Sequence, residues 1–241
     1  MIRLVLVHLA AELKKLLRVP GFLVPTLVFP SMFFLLFAAP YLETWQAANQ
    51  TAASFMTFAF FTVVFFQFGV GLAQDRANPW DTYVRTLPLA PWVLPTAFVL
   101  TGLLFAFLAA GVVAAVAAVS TPLKPEAANL PVLLAALVLG AVPMGLLGVA
   151  LGQRVSPKAA LPIANLVYLL LSFLGGLWMP PEAMPEWARV FSPWLPTRYW
   201  AEVVWASAWD RPWPASALLG LAAYGLLFGL LAAWAWRRGR G

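Results

Sequence analysis

The 241-residue chain has no cysteine, one histidine (His8) and few charges, with Asp, Glu, Lys and Arg together making up 10% of it. Without thiols there are no disulfides, thiolate metal sites or cysteine nucleophiles. His8 lies outside every apolar stretch, which removes clustered-ligand metal hydrolysis and a histidine-assisted serine nucleophile. No Gly-x-x-x-x-Gly-Lys-[Ser/Thr] run occurs, so the chain has no loop of that type to cradle nucleotide phosphates. Charge is also missing from the core of every apolar stretch. A proton- or sodium-driven carrier needs a buried carboxylate or a broken helix for its coupling ion, and the carboxylate is absent.

Apolar residues dominate instead, at 63% of the chain with a mean hydropathy of +0.86. They form six stretches, 22–41, 54–73, 92–119, 131–152, 159–178 and 214–236. A helix needs ~20 residues to cross ~30 Å of hydrocarbon, and each stretch reaches that length. Backbone groups in lipid must be satisfied internally, and runs without strict alternation favour helices over a barrel. The expected fold is an all-α membrane protein with six transmembrane helices. No soluble loop is long enough to hold a second core. The first stretch is too long for the apolar core of a cleaved signal.

Basic residues sort onto alternate gaps. With the N-terminus inside, the inner segments hold Arg3, Lys14, Lys15, Arg18, Arg76, Arg85, Arg154, Lys158, Arg237, Arg238 and Arg240, eleven of fifteen. Lys124, Arg189, Arg198 and Arg211 fall outside. This bias predicts a multi-pass protein of the cytoplasmic membrane with both termini cytoplasmic. The net charge of +6 then describes an inner-leaflet basic surface rather than a nucleic-acid site.

Residues 1–20 read as an amphipathic interfacial helix, with Val5, Leu6, Leu9, Leu13, Leu16 and Leu17 on one arc and basic residues opposite. In the second stretch, Gln67 either makes an interhelical hydrogen bond or lines a path. Gly145, Gly148 and Gly152, and the Gly225-x-x-x-Gly229 pair, read as packing seams. The inner gap carries Asn78-Pro79, a helix start, with Asp81 early, Arg85 late and Pro88 as a stop. A short cytoplasmic helix at about 79–87 would present Trp80, Tyr83 and Arg85, either for docking or as an interfacial anchor. Before the last stretch, helices at roughly 182–192 and 197–209 would partly re-enter the outer leaflet. Trp187, Trp194, Trp200, Trp205, Trp209 and Trp213 would form an aromatic belt.

The segment GGLWMPPEAMPEWARVFSPWLPTRYWAE resembles the closing signature of ABC-2-type permeases, the membrane subunits of many bacterial ABC exporters. The inner segment DRANPWDTYVRTLPLAP is similar to that family's acid-Arg stretch: Asp75 and Arg76 match the pair, and Arg85, Thr86, Pro88 and Leu89 the exit. Asn78, Pro79 and Trp80 replace the family's usual glycine and flanking charges. The resemblance implies an exporter permease that is not itself an enzyme, joined to a second permease copy in a homodimer or related heterodimer. It also implies a separate ABC-type ATPase, which would use the ATP and Mg, with no cofactor bound by this chain. Residues 1–20 would be an elbow helix and 21–241 the transmembrane domain. Asp75, Arg76, Trp80, Asp81, Tyr83, Arg85 and Thr86 would couple to the ATPase. Phe58, Thr62, Phe65 and Gln67 would line the substrate path with Asn165, Tyr168 and Ser172. Trp187, Phe191 and Trp194 would form the outer gate. An uncharged, Phe-rich interior favours a lipophilic or amphipathic cargo. The alternative is a passive channel or membrane scaffold without ATP coupling, against which the docking helix argues.

Overall fold

The structure is a computed structural model that describes residues 2–18, 20–79, 90 and 92–238. The described residues form helices and turns without a strand, in agreement with the all-α class. The long helices are α1 (Ile2–Leu17), α2 (Pro20–Phe37), α3 (Trp45–Arg76), α4 (Val93–Ser120), α5 (Leu130–Arg154), α6 (Pro157–Leu174) and α9 (Ala215–Arg238). Two shorter helices, α7 (Glu186–Phe191) and α8 (Pro196–Ala208), lie between α6 and α9. Among the described residues five helices, α3 to α6 and α9, are long and apolar enough to cross a membrane. The sixth expected stretch is helical as α2, but its described apolar part, Thr26–Tyr41, is shorter.

Helix α3 starts at Trp45, well before the 54 that apolarity suggested. Thr44 caps it by accepting a bond from the Ala47 amide. Residues 45–53 are too polar to register as a membrane stretch, yet Ala and Gln are good helix formers. Their polarity has a use. The Asn49 side chain exchanges two bonds of 2.9 and 3.0 Å with the Lys124 backbone, fastening the α4–α5 connection to the outer end of α3.

The core is built around α3. Phe55, Phe58, Phe60, Phe61 and Phe65 are all fully buried. Their rings meet Phe34 of α2 (5.3 Å), Phe107 of α4 (5.1 Å) and Tyr168 of α6 (5.0 Å, stacked). Offset and edge-on contacts of this kind are the favourable aromatic geometries. Near its C-terminal end α3 widens into a π-turn over Gln67–Gly71. The glycines of α5 sit on that turn, where a Cβ on Gly152 would come within 2.6 Å of the Gly69 carbonyl. The Gly145–Gly152 seam is therefore a packing seam, as its spacing suggests. The Gly225-x-x-x-Gly229 pair is not one within this chain. Nothing approaches a Cβ on Gly225 within 4 Å, and Gly229 meets only Leu146 at 3.7 Å. In α9 the close approach is at Gly220, against the Tyr199 ring.

The outer segment departs from a uniform aromatic belt. Helix α6 ends in a Schellman turn: Gly176 (φ +84°) donates to Phe173, and Leu177 donates to Ser172. Helix α8 then enters the protein, with Trp200, Ala201, Val203, Val204 and Ser207 buried. Trp200 donates to the Ala136 carbonyl at 3.1 Å and Trp205 to the Ser54 hydroxyl at 2.6 Å. These two indoles are core anchors, because their one polar atom finds a partner inside. Trp187 and Trp194 stay exposed, as a belt requires.

Candidate functional site

At the C-terminal end of α3, Arg76 turns back onto α5. Its Nη1 donates to the Gly152 carbonyl at 2.9 Å and the Gln153 carbonyl at 2.6 Å. These acceptors belong to the last turn of α5, where carbonyls lack intrahelical partners and the dipole is negative. A guanidinium there clamps the exit of α3 to the end of α5. Asp75 is half-buried beside it. Trp80, Asp81, Tyr83, Arg85 and Thr86, with the helix expected at about 79–87, lie outside the described residues.

The expected path residues do not gather at one place. Phe58, Thr62 and Tyr168 do meet: Phe58 stacks on Tyr168, and the Thr62 and Tyr168 hydroxyls are hydrogen-bonded to each other. Thr62 also donates to the Phe58 carbonyl at 2.8 Å, filling the local backbone acceptor. Ser172 is buried one turn further along α6, and its hydroxyl has no partner among the described residues. Phe65 lies against the rings of Phe61 and Phe66. Gln67 points elsewhere. Its Nε2 donates to the Phe98 carbonyl of α4 at 3.0 Å, which is an interhelical bond. Asn165 is exposed, off the buried Ala160–Ala164–Tyr168–Ser172 face of α6.

Of the three residues expected at an outer gate, Trp187, Phe191 and Trp194 are 58%, 59% and 73% exposed. Trp187 touches Phe173 at 6.1 Å between ring centres, and the Trp194 carbonyl accepts from the Tyr224 hydroxyl at 2.5 Å. These contacts tie Trp187 to α6 and Trp194 to α9.

A sequence model of the ABC-2 type transporter matches residues 3–208. The chain belongs to the ABC-2 type transporter family. The Bacillus subtilis (strain 168) protein named "Putative transport permease YvfS" is 26% identical over 230 residues, covering 92% of each chain. Permeases of this family work with ABC ATPases, generally as dimers. In this ABC-2 permease the match reaches from α1 through α8, and so includes the clamp, the α3–α6 contact and the outer rim.

Two features of the permease escaped sequence reasoning. The Arg76 clamp needs the end of α5 to arrive beside α3, and no spacing within the chain reports that. The anchoring of α8 had a visible trace: Trp200, Val203, Val204 and Ser207 share one helical face. The abundance of Trp in the segment drew attention to the membrane surface instead.

Proposed function

We propose that this chain is the membrane subunit of an ABC exporter, moving a lipophilic or amphipathic substrate with ATP hydrolysed by a separate ATPase chain. In this reading α2 is the first of six spans, both termini are cytoplasmic, and α1 lies at the inner interface, where Val5 is buried against Val93 and Ala97 of α4. The segment at about 79–87 docks on the ATPase through Trp80, Tyr83 and Arg85, with Asp81 and Thr86 shaping its ends. Asp75 and Arg76 connect it to the bundle.

The observation that carries the reading is the clamp. A push received just beyond residue 79 enters α3 and, through Arg76, the end of α5 and the turn into α6. The Phe58–Thr62–Tyr168 contact between α3 and α6 then separates or closes the path. Charged cargo has no counter-ion there, because the buried groups around Phe58 are rings and hydroxyls. Ser172, with its unpartnered hydroxyl, and Asn165, on the exposed flank of α6, become path residues only once α3 and α6 part or a second copy packs alongside. Trp187, Phe191 and Trp194 guard the outer rim.

Co-reconstitution with a partner ABC ATPase tests this. Arg85→Glu and Trp80→Ala are expected to abolish coupled transport and permease-stimulated ATP hydrolysis with membrane insertion intact. Normal pumping by both variants would remove the docking role. Transport by the purified chain alone, without ATPase, would instead favour a passive channel. Lipophilic compounds are expected to stimulate the complex, and stimulation only by a polyanion would overturn the cargo class.

A further inference from the structure

A hollow of about 300 Å³ lies at the inner end of the bundle, between the exit of α3 (Ala73, Arg76) and the α5–α6 turn (Arg154, Ser156, Pro157). Two guanidinium groups belong to its wall, and among the described residues neither is ion-paired with a carboxylate. Arg76 uses Nη1 on the two α5 carbonyls, which holds its plane in place. Its remaining donors have no acceptor among the described residues, and a guanidinium carries five. Ser156 stands at the N-cap of α6, but its hydroxyl makes no capping bond. Pro157 follows with no N–H to offer, so the Lys158 amide is the first orphan donor of that helix. Two guanidinium groups and a hydroxyl that makes no capping bond, on the wall of one hollow beside a helix N-terminus, are the chemistry of a phosphate site.

The surroundings favour one source of phosphate. Arg154 lies over the Trp234 ring, 4.7 Å from its centre. Trp234 (46% exposed) shares one arc of α9 with exposed Leu226, Leu227, Leu230 and Leu231. This is the sequence of surfaces that a lipid meets in passing from acyl chain to headgroup. The geometry points to a site for the phosphate of an anionic phospholipid of the inner leaflet, held by Arg76, Arg154 and Ser156, with its chains along α9. Basic pockets between helices on the cytoplasmic side suit such headgroups. A lipid bound there would bridge α3, the α5–α6 turn and α9.

Native mass spectrometry of the full chain in detergent, titrated with phosphatidylglycerol or phosphatidylcholine of identical acyl chains, tests the site. Wild type is expected to retain phosphatidylglycerol at concentrations where phosphatidylcholine is lost. Arg154→Gln is expected to weaken that retention about fivefold, and the Arg76→Gln/Arg154→Gln pair about twenty-five-fold. Ser156→Glu leaves both arginines and the Arg76 clamp in place and is expected to abolish the preference by putting a carboxylate in the hollow. That variant separates lost binding from lost folding. Equal retention of the two lipids by wild type, or unchanged retention in all three variants, would overturn the site. Displacement of phosphatidylglycerol by an equal concentration of inorganic phosphate would reassign it to a soluble anion and overturn the lipid. The inference rests on the proposed membrane placement and not on transport. Lipid retention without ATPase coupling, or coupling without retention, tells the two apart.

Discussion

Helices α3 and α9 are almost equally apolar, with mean hydropathies of 1.9 and 2.0 over their most apolar windows, yet 78% of that window is buried in α3 and 22% in α9. In water such a pair could not exist, because the hydrophobic effect would drive both inward. In lipid, apolarity selects the phase and says nothing about neighbours; packing and polar contacts decide those. Helix α3 is buried on all sides because Ala48, Ala52, Ala53 and Ala59 admit neighbours closely while its phenylalanines fill the space between them. Helix α9 buries one stripe, Ala217, Leu221, Phe228, Ala232 and Ala235, and turns leucines outward.

The contrast is sharpest at glycines. A Cβ on Gly140 of α5 would fall 2.0 Å from the buried Trp200 ring, whereas Gly225 of α9 faces open space. Gly140→Ala is expected to destabilise the detergent-purified permease by about 3 kcal/mol, from forced repacking. Gly225→Ala should change stability by less than about 0.5 kcal/mol. Equal melting temperatures for the two variants would erase the distinction between hub and rim. Next in size is Phe58→Ala, which removes a ring in contact with Phe55, Tyr168 and Trp178. About 2 kcal/mol is expected, less than in a water-soluble core because a transmembrane helix leaves lipid, not water. Leu166→Ala, at a position 62% exposed on α6, should be nearly silent in the same unfolding assay. Among the buried positions the smallest effect belongs to Tyr168→Phe, which deletes one partner of the Thr62 hydroxyl pair. A loss of about 0.6 kcal/mol is expected, since intramembrane hydrogen bonds average near that value. A much larger loss would make that pair, rather than the rings, the main tie between α3 and α6.

The same contrast explains what could be read in advance. Helical class, the approximate spans and the two short outer helices follow from run length, proline placement and capping signals, all of which are local. The start of α3 was misjudged because Gln46, Asn49 and Gln50 lower the hydropathy of a segment that is nevertheless helical and bonded to the Lys124 loop. Within the site, Phe58, Thr62 and Tyr168 could be grouped from the aromatic and hydroxyl content of two spans. Gln67 could not be assigned, because a mid-span amide suits a path or a neighbouring helix equally, and its bond to Phe98 depends on where α4 packs. Trp200 and Trp205 were read as belt residues for a related reason. An indole is equally at home at a headgroup and in a core that offers an acceptor.

Composition and order alone determined that this is an all-helical protein made for lipid, because runs of some twenty uncharged residues can satisfy their backbones in no other way there. They also set most helix ends to within a few residues, the start of α3 excepted, since caps, prolines and glycines act locally. Only the tertiary structure decided which apolar helix became the hub, that α8 enters the protein, and that Arg76 joins α3 to α5. Those outcomes depend on close approaches between distant segments, and in a solvent as apolar as the side chains themselves it is shape and hydrogen bonding that select them.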